Sequence, residues 1–205
     1  MLKKLVKIMN PTLYSEKSNE KLKENGCNAI ARGAFEAGVV LATGFPGAPA
    51  SQILESFTEI ASHNLQLSIH SEFSINEKVA FEVALAGSMC NARNLLVTKH
   101  VGLNNAADSF MTGCYAGAMG GLVVVIVDDP GMFFSQNEQD SRYYGLHGLI
   151  PVFEPSTPGE AKEMTKYAFE FSEKFESLVL LRITAAFCGE SGEIQLGDLQ
   201  QLNRA

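Results

Sequence analysis

Leu122 to Val127 reads LVVVIV, an unbroken apolar run rich in β-branched residues, and Asp128-Asp129-Pro130-Gly131 stops it abruptly. A strand with no polar face is covered on both sides, which is the pattern of an interior strand in a parallel sheet. Parallel strands need crossover helices, so the flanking sequence should alternate between strand and helix. Upstream, Cys27 to Ala37 carries Ile30, Ala31, Ala34 and Phe35 at helical spacing, and Gly38 stands where a helix would end. Val39 to Ala42 reads as a short buried strand, Thr43 to Pro49 as a turn, and Ser51 to Ala61 as an amphipathic helix with Ile53, Leu54, Phe57 and Ile60 inward. Leu65 to His70 alternates like a strand, a helix follows from Glu77 to about Asn91, Leu95 to Thr98 is a strand, and Asn104 to Ala118 is helical. Beyond the run, a polar and aromatic loop, MFFSQNEQDSRYYGLHG, leads to Pro151-Val152-Phe153, a helix from Pro158 to about Lys174, and a strand from Leu178 to Ile183. The expectation is an α/β fold: a doubly wound, mostly parallel sheet of about five or six strands with helices on both faces. Residues 1–25 read as a poorly anchored lead-in, and residues 26–205 as a single domain with a short C-terminal tail.

Composition narrows the function classes. With 205 residues, 46% hydrophobic and 19% charged, the chain is long enough for one sizeable core and is not of a disordered type. A net charge of -7, with no basic stripe, argues against nucleic acid as a partner. Cys27, Cys90, Cys114 and Cys188 form no C-x-x-C pair, so reduced, buried thiols are expected rather than zinc or an iron-sulfur cluster. Asn10-Pro11 follows Met1 to Met9 too soon for a leader, and no apolar run reaches membrane-spanning length, so a cytoplasmic protein without a membrane partner is expected.

In such a sheet, ligands bind outside the carboxyl ends of the strands. GFPGAPAS, SEFSINE, KHVGLN and DDPGMFFSQNEQD should therefore converge on one rim. Within SEFSINEKVAFEVALAG (71–87), Glu77, Ala80, Ala84 and Gly87 fall on one small helix face, which would admit a partner helix or a flat ligand close to Glu77. Ser74-Ile75-Asn76-Glu77 also fits a capping box, in which Glu77 would only satisfy the helix start. Pro46 and Pro49 remove donors from the first glycine turn and no Lys-Ser or Lys-Thr follows, so a phosphate-binding loop is not expected. Gly113 to Gly121 precedes a strand and reads as close packing and a turn. His63, His70, His100 and His147 lack ligand spacing, so no metal site is expected. No G-x-S-x-G elbow is present either.

NAIARGAFEAGVVLATGFPGAPAS, NEKVAFEVALAG, TKHVGLNNAADSFMT, GGLVVVIVDDPG and SQNEQDSRYY together resemble the N-terminal domain of the indolepyruvate ferredoxin oxidoreductase large subunit, over roughly Gly26 to Thr184. That family is thiamine-diphosphate-dependent and oxidatively decarboxylates a 2-oxoacid to an acyl-CoA, with ferredoxin as electron acceptor. The resemblance implies a pyrimidine-binding module, with Glu77 as the catalytic carboxyl against the aminopyrimidine ring. There it would favour the imino tautomer and so help create the reactive carbanion. Such a glutamate should be buried and hydrogen-bonded. By the same resemblance, Gly44, Phe45, Pro46, Gly47 and Asn104 would contact the cofactor. Ala48, His100, Gln136, Asn137 and Asp140 are substrate or interface candidates. A diphosphate-binding partner would supply the magnesium site, for no Gly-Asp-Gly with a following Asn occurs here, and the iron-sulfur cluster would also lie in another module or subunit. The chain alone should therefore be inactive.

Two departures from the family pattern bear on substrate. Ala48 stands where the family usually has Thr, and Arg182-Ile183-Thr184-Ala185-Ala186 lacks the second arginine of its Arg-Thr-Thr-Thr-Arg. An arginine fork for a carboxylate is not readily replaced. The alternative reading is a non-catalytic interaction or regulatory subunit that keeps the fold and a dimer face. Under either reading, self-association as a two-fold dimer is expected.

Overall fold

A computed structural model describes residues 10–200. The readings made for residues 1–9 and for 201–205 of the tail lie outside the described residues. In chain order the elements are β1 (Lys21–Asn25), α1 (Gly26–Glu36), β2 (Leu41–Gly44), α2 (Ser51–His63), β3 (His70–Phe73), α3 (Glu77–Met89), β4 (Asn94–Lys99) and α4 (His100–Asn105). They continue with α5 (Ala107–Ala116), β5 (Leu122–Asp128), α6 (Arg142–Gly148), β6 (Val152–Phe153), α7 (Pro158–Phe175), β7 (Val179–Thr184), α8 (Ala185–Gly189) and β8 (Ser191–Gln195).

The main sheet has six strands in the order β3-β2-β4-β5-β7-β6, and every neighbouring pair is parallel. The LVVVIV run is the interior strand β5, buried along its whole length. Alternate residues serve opposite faces. Leu95, Val97, Val123, Val125, Val179 and Leu181 pack under α1, α2 and α7, whereas Leu96, Val124, Ile126 and Leu180 pack under α3 and α5. Each fully buried aliphatic side chain contributes about 1.5–3 kcal/mol of apolar burial, which is why this pattern fixes the sheet. From β2 the chain first goes outward to β3 and then returns to β4 on the other side. The switch point thus lies between the carboxyl ends of β2 and β4.

Several expectations need correction. Leu65 to His70 is not a strand: Leu65–Leu67 is a 3-10 turn, Ser68 is left-handed with φ 52°, and the strand is His70–Phe73. Its apolar alternation misled because Leu65 is 80% exposed and faces solvent rather than a core. The helix read from Asn104 to Ala118 is two helices, α4 starting directly at the end of β4 and α5 starting after a break at Ala106. Helix α6 lies inside the segment read as loop; its exposed Tyr143 and Leu146 give no amphipathic pattern. The capping box is also displaced. Asn76 is the N-cap and accepts from the Val79 N–H at 2.8 Å, which leaves Glu77 as the first helical residue with its carboxyl uncommitted to capping. The small face of α3 lies on its own sheet, with Ala80 and Ala84 fully buried and Gly87 against Asn94, so it is not open to a partner. Of the thiols, Cys27 and Cys188 are buried, Cys114 is half-buried and Cys90 is exposed.

Residues 10–25 are anchored, contrary to the lead-in reading. β1 pairs antiparallel with β8, and Leu13 is fully buried. Arg32 Nη1 donates to the carbonyls of Leu13 at 2.8 Å and Ser15 at 2.7 Å. The same arginine belongs to a buried cluster around Glu36, whose carboxylate accepts from Arg32 Nε at 2.8 Å, Lys162 Nζ at 2.7 Å and the Gly197 N–H at 2.7 Å. That cluster joins α1, α7 and the segment after β8.

Candidate active site

The carboxyl ends of β2, β4 and β5 and the head of α3 enclose a cleft of about 550 Å³. Its walls are Phe45, Pro46, Gly47 and Ala48 after β2, Glu77 at the head of α3, Lys99 at the end of β4 with Val101 after it, and Phe133, Phe134, Ser135 and Gln136 after β5. The stretches expected to converge on one rim do so, and the parallel register is the reason. Gly44 pairs with Val97 and lies so close that a Cβ would meet the Val97 carbonyl oxygen at 2.5 Å. Gly44 therefore sets the approach of β2 to β4 and does not itself line the cleft.

Glu77 is half-buried, not buried as expected. Its Oε2 accepts from Asn105 Nδ2 at 2.9 Å. Oε1 has no hydrogen-bond partner among the described residues. The side chain rests on Gly102 of α4, where an added Cβ would lie 2.7 Å from both Cγ and Oε1 of Glu77 and 2.3 Å from Thr98 Oγ1. Gly102→Ala should thus push Glu77 off its seat and destabilise the fold by about 1–3 kcal/mol. Urea unfolding checks this, and a variant as stable as the parent would show that the seat is not tight.

The loop after β5 is held by its two aspartates. Asp128 accepts from the Ser141 N–H at 3.0 Å, Ser141 Oγ at 2.5 Å and Arg182 Nε at 2.9 Å. Arg182 also pairs with Glu154. Asp129 accepts from the N–H groups of Phe133 at 3.2 Å and Phe134 at 2.6 Å. Burial pushes the Asp129 carboxyl up, but these amides and the Lys99 charge outweigh it and hold it below the usual carboxylate range. Desolvation conversely pulls the Lys99 ammonium below the ordinary lysine value, with Asp129 opposing.

The remaining candidates separate. Asn104 faces away from the cleft, donating to Gln139 Oε1 at 3.0 Å and accepting from Tyr144 Oη at 2.6 Å; its neighbour Asn105 is the residue on Glu77. His100 is fully buried, its Nε2 is 3.1 Å from the Asn137 carbonyl oxygen, and its Nδ1 has no partner. His100 and Asn137 thus order the loop behind the cleft, where Gln136 alone of that segment's candidates reaches the lining. Asp140 is paired with Arg142, whose hydrogen bonds outweigh burial and take its carboxyl down to about 2. Lys99, Phe133 and Phe134 lay within the stretches KHVGLN and DDPGMFFSQNEQD expected at the rim, but nothing there singled them out, and Asn105 lay outside all four stretches.

Phe45, Val101 and the Glu77 carboxyl thus share one cleft, apolar surface beside a single acid. It offers no phosphate cradle, because Pro46 and Pro49 interrupt the only glycine turn there.

No family model matches the chain. It is 44% identical over 197 residues to the indolepyruvate oxidoreductase subunit IorA of Thermococcus kodakarensis and 46% identical over 197 residues to that of Pyrococcus abyssi, in each case over 96% of this chain. Identity to IorA of Archaeoglobus fulgidus is 44% over 184 residues. The chain spans only about 30% of the length of these curated relatives. A solved 2-oxoglutarate:ferredoxin oxidoreductase from Magnetococcus marinus, determined with 2-oxoglutarate, coenzyme A and succinyl-CoA bound, superposes with a TM-score of 0.76 at 16% identity, covering 88% of this chain and 32% of that one. That likeness establishes the fold.

Proposed function

We propose that this chain, alike over nearly all its length to about a third of the IorA subunits, is the pyrimidine-binding component of a thiamine-diphosphate-dependent 2-oxoacid:ferredoxin oxidoreductase acting on an arylpyruvate. The observation that carries the reading is Glu77: a carboxylate at a cleft wall, fixed through one oxygen by Asn105 and presenting the other with no partner among the described residues. Thiamine diphosphate, when bound, supplies a nucleophilic carbon and an electron sink for the 2-oxoacid. The residues present fit its aminopyrimidine end. Phe45 and Val101 would flank the ring, and Glu77 Oε1 would hold or accept a proton at a ring nitrogen. They do not fit its diphosphate, for which the cleft has no cradle.

A second module must therefore bind the diphosphate and magnesium, and a further module or subunit must hold the iron-sulfur cluster that passes electrons to ferredoxin. Coenzyme A would receive the acyl group. The test is reconstitution of this chain with a diphosphate-binding partner, followed by arylpyruvate-dependent reduction of ferredoxin or a viologen dye. Turnover that requires both proteins and thiamine diphosphate is the expected result. A partner that binds the cofactor and yet gives no turnover with this chain would favour a non-catalytic interaction subunit.

A further inference from the structure

Arg182, the arginine that the sequence leaves for a substrate carboxylate, is committed to Asp128 and Glu154. Among the charged residues lining the cleft only Glu77 and Lys99 remain, and only Lys99 is a cation. We propose that Lys99 receives the carboxylate of the substrate and that Phe133 and Phe134 form the wall against which its aryl side chain lies. This inference rests on the cleft being the oxoacid site, as argued above.

Lys99 is the last residue of β4 and is 8% exposed. Its stem crosses the β2 turn at Gly47, where an added Cβ would meet Lys99 Cδ at 3.0 Å. Nζ donates to the Phe134 carbonyl at 2.7 Å and to no other acceptor among the described residues, so two of the three ammonium donors are uncommitted. No carboxylate among the described residues lies within ion-pair distance of it; Asp129 acts on it only through its charge at longer range, its oxygens accepting from the Phe133 and Phe134 amides. A partly desolvated cation with spare donors favours an anionic ligand. Glu77, the other charge on the wall, repels a carboxylate and so directs it to Lys99. Phe133 and Phe134, 83% and 55% exposed, line the same space and stack on no other ring among the described residues, which suits a flat apolar side chain.

The test is a chemical-shift titration of the isotope-labelled chain, without thiamine diphosphate, using indole-3-propionate and its neutral isostere indole-3-propanamide. The parent chain should bind the acid at least about tenfold more tightly than the amide, a hydrogen bond to a charged group being worth that much. Lys99→Gln keeps an N–H for the Phe134 carbonyl but removes the charge. It should abolish the preference while leaving amide affinity unchanged, and Lys99→Arg should restore most of it. A merely structural lysine would instead weaken both ligands together. Replacing both phenylalanines by alanine should weaken acid and amide alike. Equal affinities in the parent, including no binding of either, or a preference that survives Lys99→Gln, overturns the assignment. Because no cofactor is present, this outcome is independent of what Glu77 does to the cofactor: that reading can fail by retained turnover in a Glu77 variant while the carboxylate preference stands, and the reverse.

Discussion

Glu77→Gln is expected to lower arylpyruvate-dependent turnover of the reconstituted enzyme by about a hundredfold to ten-thousandfold, the usual contribution of a positioned proton-transfer group. That range corresponds to roughly 3–5 kcal/mol of barrier. The substitution is nearly isosteric, so the seat on Gly102 and a hydrogen bond with Asn105 can persist. What disappears is an oxygen that can carry or release a proton at the cleft wall. Asn105→Ala acts differently: it removes the donor at 2.9 Å that fixes Oε2, so the carboxylate remains but loses its orientation. Its loss should be smaller, about tenfold to a hundredfold, as for a hydrogen bond to a charged acceptor. Steady-state dye reduction measures both. Unchanged turnover in Glu77→Gln would remove the proton-handling role and leave Glu77 as part of the wall only.

The largest stability effect is expected away from the cleft, at Glu36. Its side chain is 0% exposed and pairs with Arg32 at 0%, Lys162 at 1% and the partly exposed Lys166 at 3.0 Å. Glu36→Ala would leave the buried Arg32 without its anion and Lys162 with Glu163 alone, a loss that typically costs about 3–5 kcal/mol. That is a large part of the roughly 5–15 kcal/mol that holds a domain of this kind together. By contrast, Lys21→Ala, which breaks the exposed pair with Glu193, should leave the unfolding midpoint unmoved. Burial pushes the Glu36 carboxyl up, but hydrogen bonds from Lys162, Arg32 and the Gly197 amide outweigh it and hold it below the usual 4.5. The folded value lies below the unfolded one, so the stabilisation is complete above about pH 4.5 and is lost as pH falls through the folded value. Urea unfolding from pH 7 downward should therefore show a steeper acid loss in the parent than in Glu36→Ala. Parallel curves would mean that the cluster is not what the acid attacks.

The amino-acid sequence determined the architecture because burial on both faces leaves a mark that no tertiary contact is needed to read. LVVVIV could only be an interior strand, and Cys27 to Ala37, Ser51 to Ala61 and Pro158 to Lys174 could only be covering helices. It also placed Glu77 at a strand-end rim, since the carboxyl ends of parallel strands necessarily share one edge. Where apolar residues face solvent, the same logic misread the chain, as at Leu65, Leu67 and the exposed face of α6. Tertiary structure alone decided which polar side chains meet. Asn105 rather than Asn104 reaches Glu77, because α4 starts on the last residue of β4 and its turn places residue 105 over the head of α3. Arg182 is spent on Asp128 and Glu154, whereas Lys99 is left to the cleft. Such pairings join residues 28 to 54 positions apart through directional bonds a few ångströms long. Hydrophobic periodicity reports which side of an element is buried but carries no information about its polar partner there.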